Sequence, residues 1–157
     1  CCISGADDAP MSVLPGAILF ACTMNAVRSP MAEGLMKRYF GHQVYVDSVG
    51  VRTGTLDGFA VAVMEEIGID ISRHYPKTFD DLEDSSYDLV VTLSPQAQHS
   101  AVEMTRTMAC EVEYWNTFDA TIVQGNRDAM LDAYRGVRDA LEDRILTQFR
   151  EGPAPRL

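Results

Sequence analysis

A cysteine and an arginine separated by five residues are the part of this sequence best suited to chemistry. Cys22 ends an apolar run, Ala17–Cys22, that is typical of a buried strand, and Arg28 is followed by Ser29 and Pro30. A short loop from a strand end to a helix start can direct successive backbone N–H groups at one oxyanion. A cysteine thiolate in such a loop is a nucleophile, and an arginine can hold two phosphate oxygens at once. The segment therefore predicts a phosphate-binding loop with its own nucleophile.

The sequence in and around this loop resembles the low-molecular-weight protein tyrosine phosphatase family, whose fold also includes the thioredoxin-coupled arsenate reductases. The resemblance spans about residues 17–149 and takes in Asp47 and Ser48 at the end of a second strand, the segment 68–74, and Trp115 with Asp119. It implies that the phosphate-binding loop consists of Thr23, Met24, Asn25, Ala26, Val27, Arg28 and Ser29. It also implies that Asn25, Ser48 and His74 form a polar network that supports the loop.

The resemblance implies a reaction as well. Cys22 would attack phosphorus and form a phosphocysteine intermediate, Arg28 would hold the phosphate, and Asp119 would serve as general acid and then as base during hydrolysis. From the residues alone, a solvated loop carboxylate is the favoured interpretation of Asp119, and the resemblance to the family reverses that preference. No metal or other cofactor is expected, and the expected substrate is a phosphorylated protein or a small phosphomonoester.

Several positions depart from the family pattern. Met24 stands where the family usually has glycine, so a positive φ at that position would be strained. Val27 occupies a position at which a second cysteine is common. Thr121 and Ile122 replace the aromatic residues that commonly wall a phosphotyrosine slot, and residues 49–54 contain no aromatic side chain. These departures predict a cavity without aromatic walls.

Two other functions fit the same loop. An arsenate reductase would bind arsenate as a phosphate mimic, but residues 93–99 lack the relay cysteines of the thioredoxin-coupled enzymes. That absence leaves a glutathione-type mechanism that uses Cys22 alone. A catalytically silent phosphoprotein-binding module is the third possibility. Met24 is compatible with it, whereas the presence of Cys22, Arg28 and Asp119 argues against it.

The elements that must position these residues alternate between strand and helix. Strands are predicted at 17–22, 44–49, 87–93 and 110–114, and helices at 30–40, 57–67, from 94 onward and from about 130 to 149. Ser29 is the expected N-cap of the first helix, and Met108 is expected on the inner face of the third. The alternation predicts an α/β fold, a three-layer sandwich with a four-stranded parallel sheet and helices on both faces. Ligands of such sheets bind beyond the carboxyl ends of the strands, where the Cys22 loop falls.

Length and charge narrow the remaining function classes. The 157 residues suit one domain, expected at 13–151 between a flexible extension at 1–12 and a tail at 152–157. The net charge of −10 argues against a nucleic-acid partner, and no apolar run approaches the ~20 residues of a membrane span. The four cysteines form no disulfide framework and the first residues lack the basic region of a signal peptide. A cytoplasmic protein with no membrane partner is expected.

Overall fold

The computed structural model describes residues 12–82, 87–106 and 109–150. Its strands are β1 (Ser12–Val13), β2 (Ala17–Cys22), β3 (Tyr45–Gly50), β4 (Leu89–Thr92), β5 (Glu111–Tyr114) and β6 (Phe149–Arg150). Its α-helices are α1 (Arg28–Phe40), α2 (Gly58–Glu65), α3 (Pro95–Met104) and α4 (Arg127–Gln148). Two short 3-10 helices, Phe79–Asp81 and Ala120–Ile122, lie in the connections.

Four of the strands form one parallel sheet in the order β3-β2-β4-β5. Strand β2 is apolar along its whole length because both of its faces are covered. Ile18 and Phe20 pack into a cluster with α1, α2 and α4, whereas Leu19 and Ala21 pack into a second cluster with α3. The predicted three-layer sandwich with helices on both faces is confirmed.

The strand order places a ligand crevice at the end of β2. The chain passes from β2 through α1 to β3 on one side, and β4 then pairs with the other side of β2. In open parallel sheets, ligands bind at such a switch point, outside the carboxyl ends of the strands. The loop after Cys22 lies there.

The predicted N-cap of the first helix is wrong. Helix α1 begins at Arg28, and its N-cap residue, Val27, makes no side-chain capping hydrogen bond. Ser29 cannot cap the helix because its side chain is fully buried and bonded within the preceding loop. Pro30 is tolerated in the first turn, where a backbone N–H would have no intrahelical partner.

The other element bounds differ from the predicted ones by a few residues. Strand β3 extends to Gly50, which pairs with Cys22, and α2 begins one residue after its N-cap, Asp57. Strands β1 and β6 form a short parallel pair that the sequence did not suggest. Met108 lies outside the described residues, as do 1–11 and 151–157, so the proposed domain boundaries stay a prediction. No helix in the described ranges is both long enough and apolar enough to cross a membrane.

Candidate active site

In the loop between β2 and α1, most carbonyl groups accept hydrogen bonds, whereas the N–H groups donate none to the part of the chain that the structure describes. The carbonyl oxygens of Cys22, Thr23, Met24 and Ala26 accept from the backbone N–H groups of Val51, Arg52, Gly54 and Asp57 at 3.0–3.1 Å. By contrast, none of the backbone N–H groups of residues 23–29 donates a hydrogen bond to a residue that the structure describes. Unpaired N–H groups at the start of a helix are a ready-made site for an anion.

Asn25 gives the loop its turn. It is the one described non-glycine residue with positive φ, at 55°, a conformation that asparagine adopts more readily than most residues. The strain that the sequence suggested for Met24 is therefore absent, since φ at Met24 is not positive. Asn25 is also fully buried, so its amide must find partners inside the protein.

Those partners include the side chains that the sequence singled out as loop support. Asn25 Nδ2 donates to Ser29 Oγ (2.8 Å) and to Ser48 Oγ (3.0 Å), while Asn25 Oδ1 accepts from His74 Nε2 and from the backbone N–H of Lys77, both at 2.9 Å. Ser29 Oγ in turn lies 2.9 Å from Cys22 Sγ. The structure thus joins Cys22 to the buried network through one hydroxyl group.

Charged groups surround the far side of the network. Ser48 Oγ donates to Glu33 Oε1 at 2.5 Å, and His74 Nδ1 lies 3.6 Å from the same oxygen. Glu33 also pairs with Lys37, and Lys77 pairs with Asp47, both at 2.6 Å. Burial lowers the pKa of His74 below its usual value, and the Lys77 ammonium adds to this effect while the Glu33 carboxylate opposes it.

Cys22 lies at the floor of a cavity of about 560 Å³. The wall is formed by the phosphate loop and by three other loops at the same edge of the sheet. Its lining residues are Cys22, Thr23, Met24, Ala26, Val27, Arg28, Arg52, Gly54, Thr55, Asp57, Pro95, Gln96, Asp119 and Thr121. None of these described lining residues is aromatic, as the sequence predicted.

Two carboxylates line the cavity, and they differ in what binds them. Asp57 Oδ1 accepts from the first N–H groups of α2, and Asp57 Oδ2 accepts from the Tyr134 hydroxyl at 2.7 Å. Burial and this hydrogen bond raise the pKa of Tyr134 well above its usual value. Asp119 Oδ1 accepts from the N–H and hydroxyl of Thr121, whereas no described residue donates to its Oδ2. Asp119 therefore has one carboxylate oxygen available for proton transfer.

The family model described as low molecular weight phosphotyrosine protein phosphatase matches residues 17–151. The chain belongs to this family. Within it, the chain is 37% identical over 136 residues to an arsenate reductase of Halalkalibacterium halodurans, an alignment that covers 86% of this chain and 96% of that protein. An arsenate reductase of Bacillus subtilis is likewise 37% identical, over 85% of this chain and 94% of that one.

Solved structures of this phosphatase family share the fold. A tyrosine phosphatase of Erwinia amylovora, amsI, superposes with a TM-score of 0.69 at 20% identity, covering 86% of this chain and 91% of that one. An arsenate reductase in its phosphate-binding state superposes with a TM-score of 0.63 at 27% identity, covering 83% of this chain and 93% of that one. Proteins named tyrosine phosphatase and arsenate reductase thus share this fold.

The structure of this family member brings most of the predicted site residues together. Thr23, Met24, Ala26, Val27, Arg28 and Asp119 line the Cys22 cavity. Asn25, Ser29 and Ser48 are buried, and His74, which is half-buried, bonds to Asn25. The Arg28 guanidinium reaches the carbonyl oxygens of Leu93 (3.4 Å) and Thr117 (3.3 Å), so it bridges the loops that follow β4 and β5. Its charge is therefore held at the cavity wall.

Sequence reasoning missed Glu33, Lys77, Arg52 and Asp57 at this phosphatase-family site. Glu33 could have been found, because it lies one helical turn after Ser29 on a face that is otherwise apolar. The other three lie in loops without a motif that sets them apart. Within the described ranges, no group of three or more His, Cys, Asp or Glu side chains is placed to hold a metal ion.

Proposed function

We propose that this protein is a cysteine-dependent phosphomonoester hydrolase. The observation that carries the proposal is that the backbone N–H groups of residues 23–29, which directly follow Cys22, donate to no residue that the structure describes. Such a set fits an oxyanion with several equatorial oxygens, and the α1 dipole favours negative charge there. Arg28 supplies the positive charge for a phosphoryl group in the same cavity.

The proposed reaction has two chemical steps. The Cys22 thiolate attacks phosphorus, the bond to the ester oxygen breaks, and Asp119 donates its proton to that leaving oxygen. Water then attacks phosphorus of the phosphocysteine, Asp119 takes the proton from that water, and the thiolate leaves. Ser29 Oγ, 2.9 Å from Cys22 Sγ, supports the proposal as a donor that stabilises the thiolate in both steps.

Replacement of Cys22 tests this function directly. In Cys22→Ser, hydrolysis of para-nitrophenyl phosphate in the presence of a metal chelator should fall by on the order of 10⁴-fold or more, because the nucleophile is removed. Orthovanadate should inhibit the unaltered protein. The matched control is Cys110→Ser, since Cys110 is the other free cysteine of the described residues and lies outside the cavity. Activity that survives in Cys22→Ser would exclude the proposal.

Arsenate reduction is the second candidate, and the 37% identity to proteins named arsenate reductase favours it. Arsenate would enter the same loop, and reduction to arsenite requires two electrons from thiols. Cys110 precedes β5 at the amino end of the sheet. The strand register places it level with Ala17, roughly 17 Å from Cys22 along the strands at ~3.3 Å per residue. A disulfide needs Cα atoms within about 7 Å, so Cys110 cannot pair with Cys22. No other cysteine lies in the described ranges, and the source of electrons that we propose for this candidate is an external thiol such as glutathione.

Parallel assays separate the candidates. Hydrolysis of para-nitrophenyl phosphate with no arsenite formed from arsenate and reduced glutathione supports the hydrolase. The reverse pattern supports the reductase. Vanadate binding with neither activity would instead identify a silent phosphoprotein-binding module.

A further inference from the structure

Arg52 is a cavity residue for which the proposed reaction has no role. Its backbone N–H donates to the Thr23 carbonyl at 3.0 Å. Its neighbours make similar bonds, since the Val51 N–H donates to the Cys22 carbonyl and the Gly54 N–H donates to the Met24 carbonyl. Residues 51–54 therefore run along the phosphate loop in a fixed register. This register holds Arg52 at the wall of the cavity that contains Cys22.

The charge of Arg52 is not used by the part of the chain that the structure describes. Its side chain is exposed and takes part in no ion pair there, whereas Lys77, Arg135 and Arg138 all pair with carboxylates. The nearby carboxylate of Asp57 already accepts hydrogen bonds at both of its oxygens. An unpaired guanidinium suits a carboxylate or a phosphate, which it can bind through two parallel N–H groups.

The rest of the cavity wall favours a charged substrate over an aromatic one. Phe118 and Ile122 are 54% and 65% exposed, and neither lines the cavity. Outside residues 22–28, the residues that line the cavity are threonine, glutamine, glycine and proline in addition to the charged Arg52, Asp57 and Asp119. A chain with net charge −10 repels anions at long range, so a local cation is needed to retain a substrate with added negative charge.

We propose that Arg52 selects phosphomonoesters that carry a second anionic group, a carboxylate or another phosphate, close to the ester. This inference rests on the proposed hydrolase function and names its substrate class. Arg28 holds the phosphoryl group that reacts, while Arg52 binds the second anion. The chemistry is the same whether that anion belongs to a small metabolite-sized ester or to an acidic residue beside a phosphorylated one in a protein.

Matched substrate pairs test the proposal. The first pair is 4-carboxyphenyl phosphate and its neutral counterpart, 4-carbamoylphenyl phosphate. The second is a phosphopeptide with glutamate or glutamine next to the phosphorylated residue. We expect kcat/KM to favour the anionic member of at least one pair by about fivefold, the size of an exposed ion pair. The pair that shows the preference identifies the source of the anion.

Arginine variants assign the preference to its residue. In Arg52→Gln the ratio of the two kcat/KM values within a pair should fall to about one. In Arg52→Lys part of the preference for the anionic substrate should remain, because lysine keeps the charge but not the planar guanidinium. Arg106→Gln is the charge-matched control, since Arg106 lies exposed just beyond the end of α3 and pairs with Glu103; it should retain the full preference. No preference in either pair, or a preference unchanged in Arg52→Gln, would overturn the proposal.

A binding measurement separates this inference from the proposed function. Alkylation of Cys22 by iodoacetamide is followed with 4-carboxybenzylphosphonate or 4-carbamoylbenzylphosphonate present. Stronger protection by the carboxylate, lost in Arg52→Gln, supports the role of Arg52 even if no ester is hydrolysed. Equal protection together with hydrolysis of para-nitrophenyl phosphate would reject Arg52 and leave the hydrolase function standing.

Discussion

One backbone donor sets the direction of the hydrogen bonds beneath the phosphate loop. The N–H of Lys77 can only donate, so the Asn25 atom that it meets at 2.9 Å is Oδ1. Nδ2 must then donate to Ser29 and Ser48, which leaves the hydrogen of each hydroxyl for another acceptor. For Ser29 the acceptors within reach are Cys22 Sγ at 2.9 Å and the Val49 carbonyl at 3.3 Å. The Ser29 hydroxyl can therefore donate either to the sulfur or to the Val49 carbonyl, and it is the donor whenever Cys22 is a thiolate, since a thiolate has no hydrogen to give.

The carboxylate oxygen left free on Asp119 leads to a prediction about leaving groups. In Asp119→Asn, kcat/KM for phenyl phosphate, which reports the step in which the leaving group departs, should fall by on the order of 10²-fold or more, because a poor leaving group needs a proton from a general acid. The loss for para-nitrophenyl phosphate should be smaller, since nitrophenolate departs without that proton. Steady-state kinetics on the two esters measures the difference. Asp128→Asn, an exposed carboxylate in the first turn of α4, is the control, and an equal loss on both esters would remove Asp119 from the role of acid.

The residues that the sequence identified without help from the family resemblance are those whose chemistry depends on local spacing. Cys22, Arg28 and Ser29 fall within eight consecutive residues, so their proximity can be read from their numbers alone. Asp57, Arg52 and Lys77 reach the site because backbone hydrogen bonds tie their loops to residues 22–26 and to Asn25. Backbone pairing carries no side-chain signature, so one sequence could not have revealed these contacts.

At the level of elements, the alternation of strand and helix was enough to predict the sheet. Apolar runs such as Ala17–Cys22 are buried on both faces, a pattern that parallel strands share. The start of α1 was harder to place, because the Ser29-Pro30 pair has the local preferences of a cap and a first helical residue. Tertiary contacts override those preferences here, since Ser29 is committed to Cys22 and Asn25.

The contact between β3 and the phosphate loop is close enough to be tested with a single methyl group. A Cβ at Gly50 would lie 2.6 Å from the Arg52 carbonyl oxygen, 2.7 Å from Asn25 N and 2.8 Å from the Met24 carbonyl carbon, all of them backbone atoms. Gly50→Ala should therefore displace the loop, lower the unfolding free energy by ~1–3 kcal/mol and reduce kcat by on the order of 10²-fold. Urea unfolding and steady-state kinetics measure the two effects.

Gly136→Ala is the control for that change. A Cβ at Gly136 meets nothing within 4 Å, and alanine is favoured over glycine inside a helix by about 1 kcal/mol. This variant should be at least as stable as the unaltered protein and equally active. A Gly50→Ala variant that behaved like it would show that the loop can move away from β3 without loss of function.

For the molecule as a whole, the site is built on a charged network that is buried with it. His74 bonds to Asn25 and faces Glu33, while Lys77 and Asp47 pair beside it. Placing a histidine there ties the stability of the fold to pH. The exposed carboxylate of Glu66 also ties stability to pH, but in a lower range. Hydrogen bonds from Arg135 and Arg138 lower its pKa to about 2. The stability that this carboxylate contributes is therefore lost only as the pH falls below the ordinary value of a glutamate, near 4.

The two pH ranges can therefore be separated by experiment. Since burial lowers the pKa of His74, the unfolded chain binds a proton at this residue at a higher pH than the folded chain does. Stability should consequently rise with pH up to the ordinary histidine value of ~6.5 and fall as the solution is acidified below it. Urea unfolding at about pH 7 and about pH 5.5 should give a lower unfolding free energy at the lower pH. In His74→Gln this difference should shrink, whereas in His99→Gln, where the histidine is exposed, it should persist. A difference that is the same in all three proteins would mean that His74 carries no part of the pH dependence, and that the network beneath the phosphate loop tolerates a protonated imidazole.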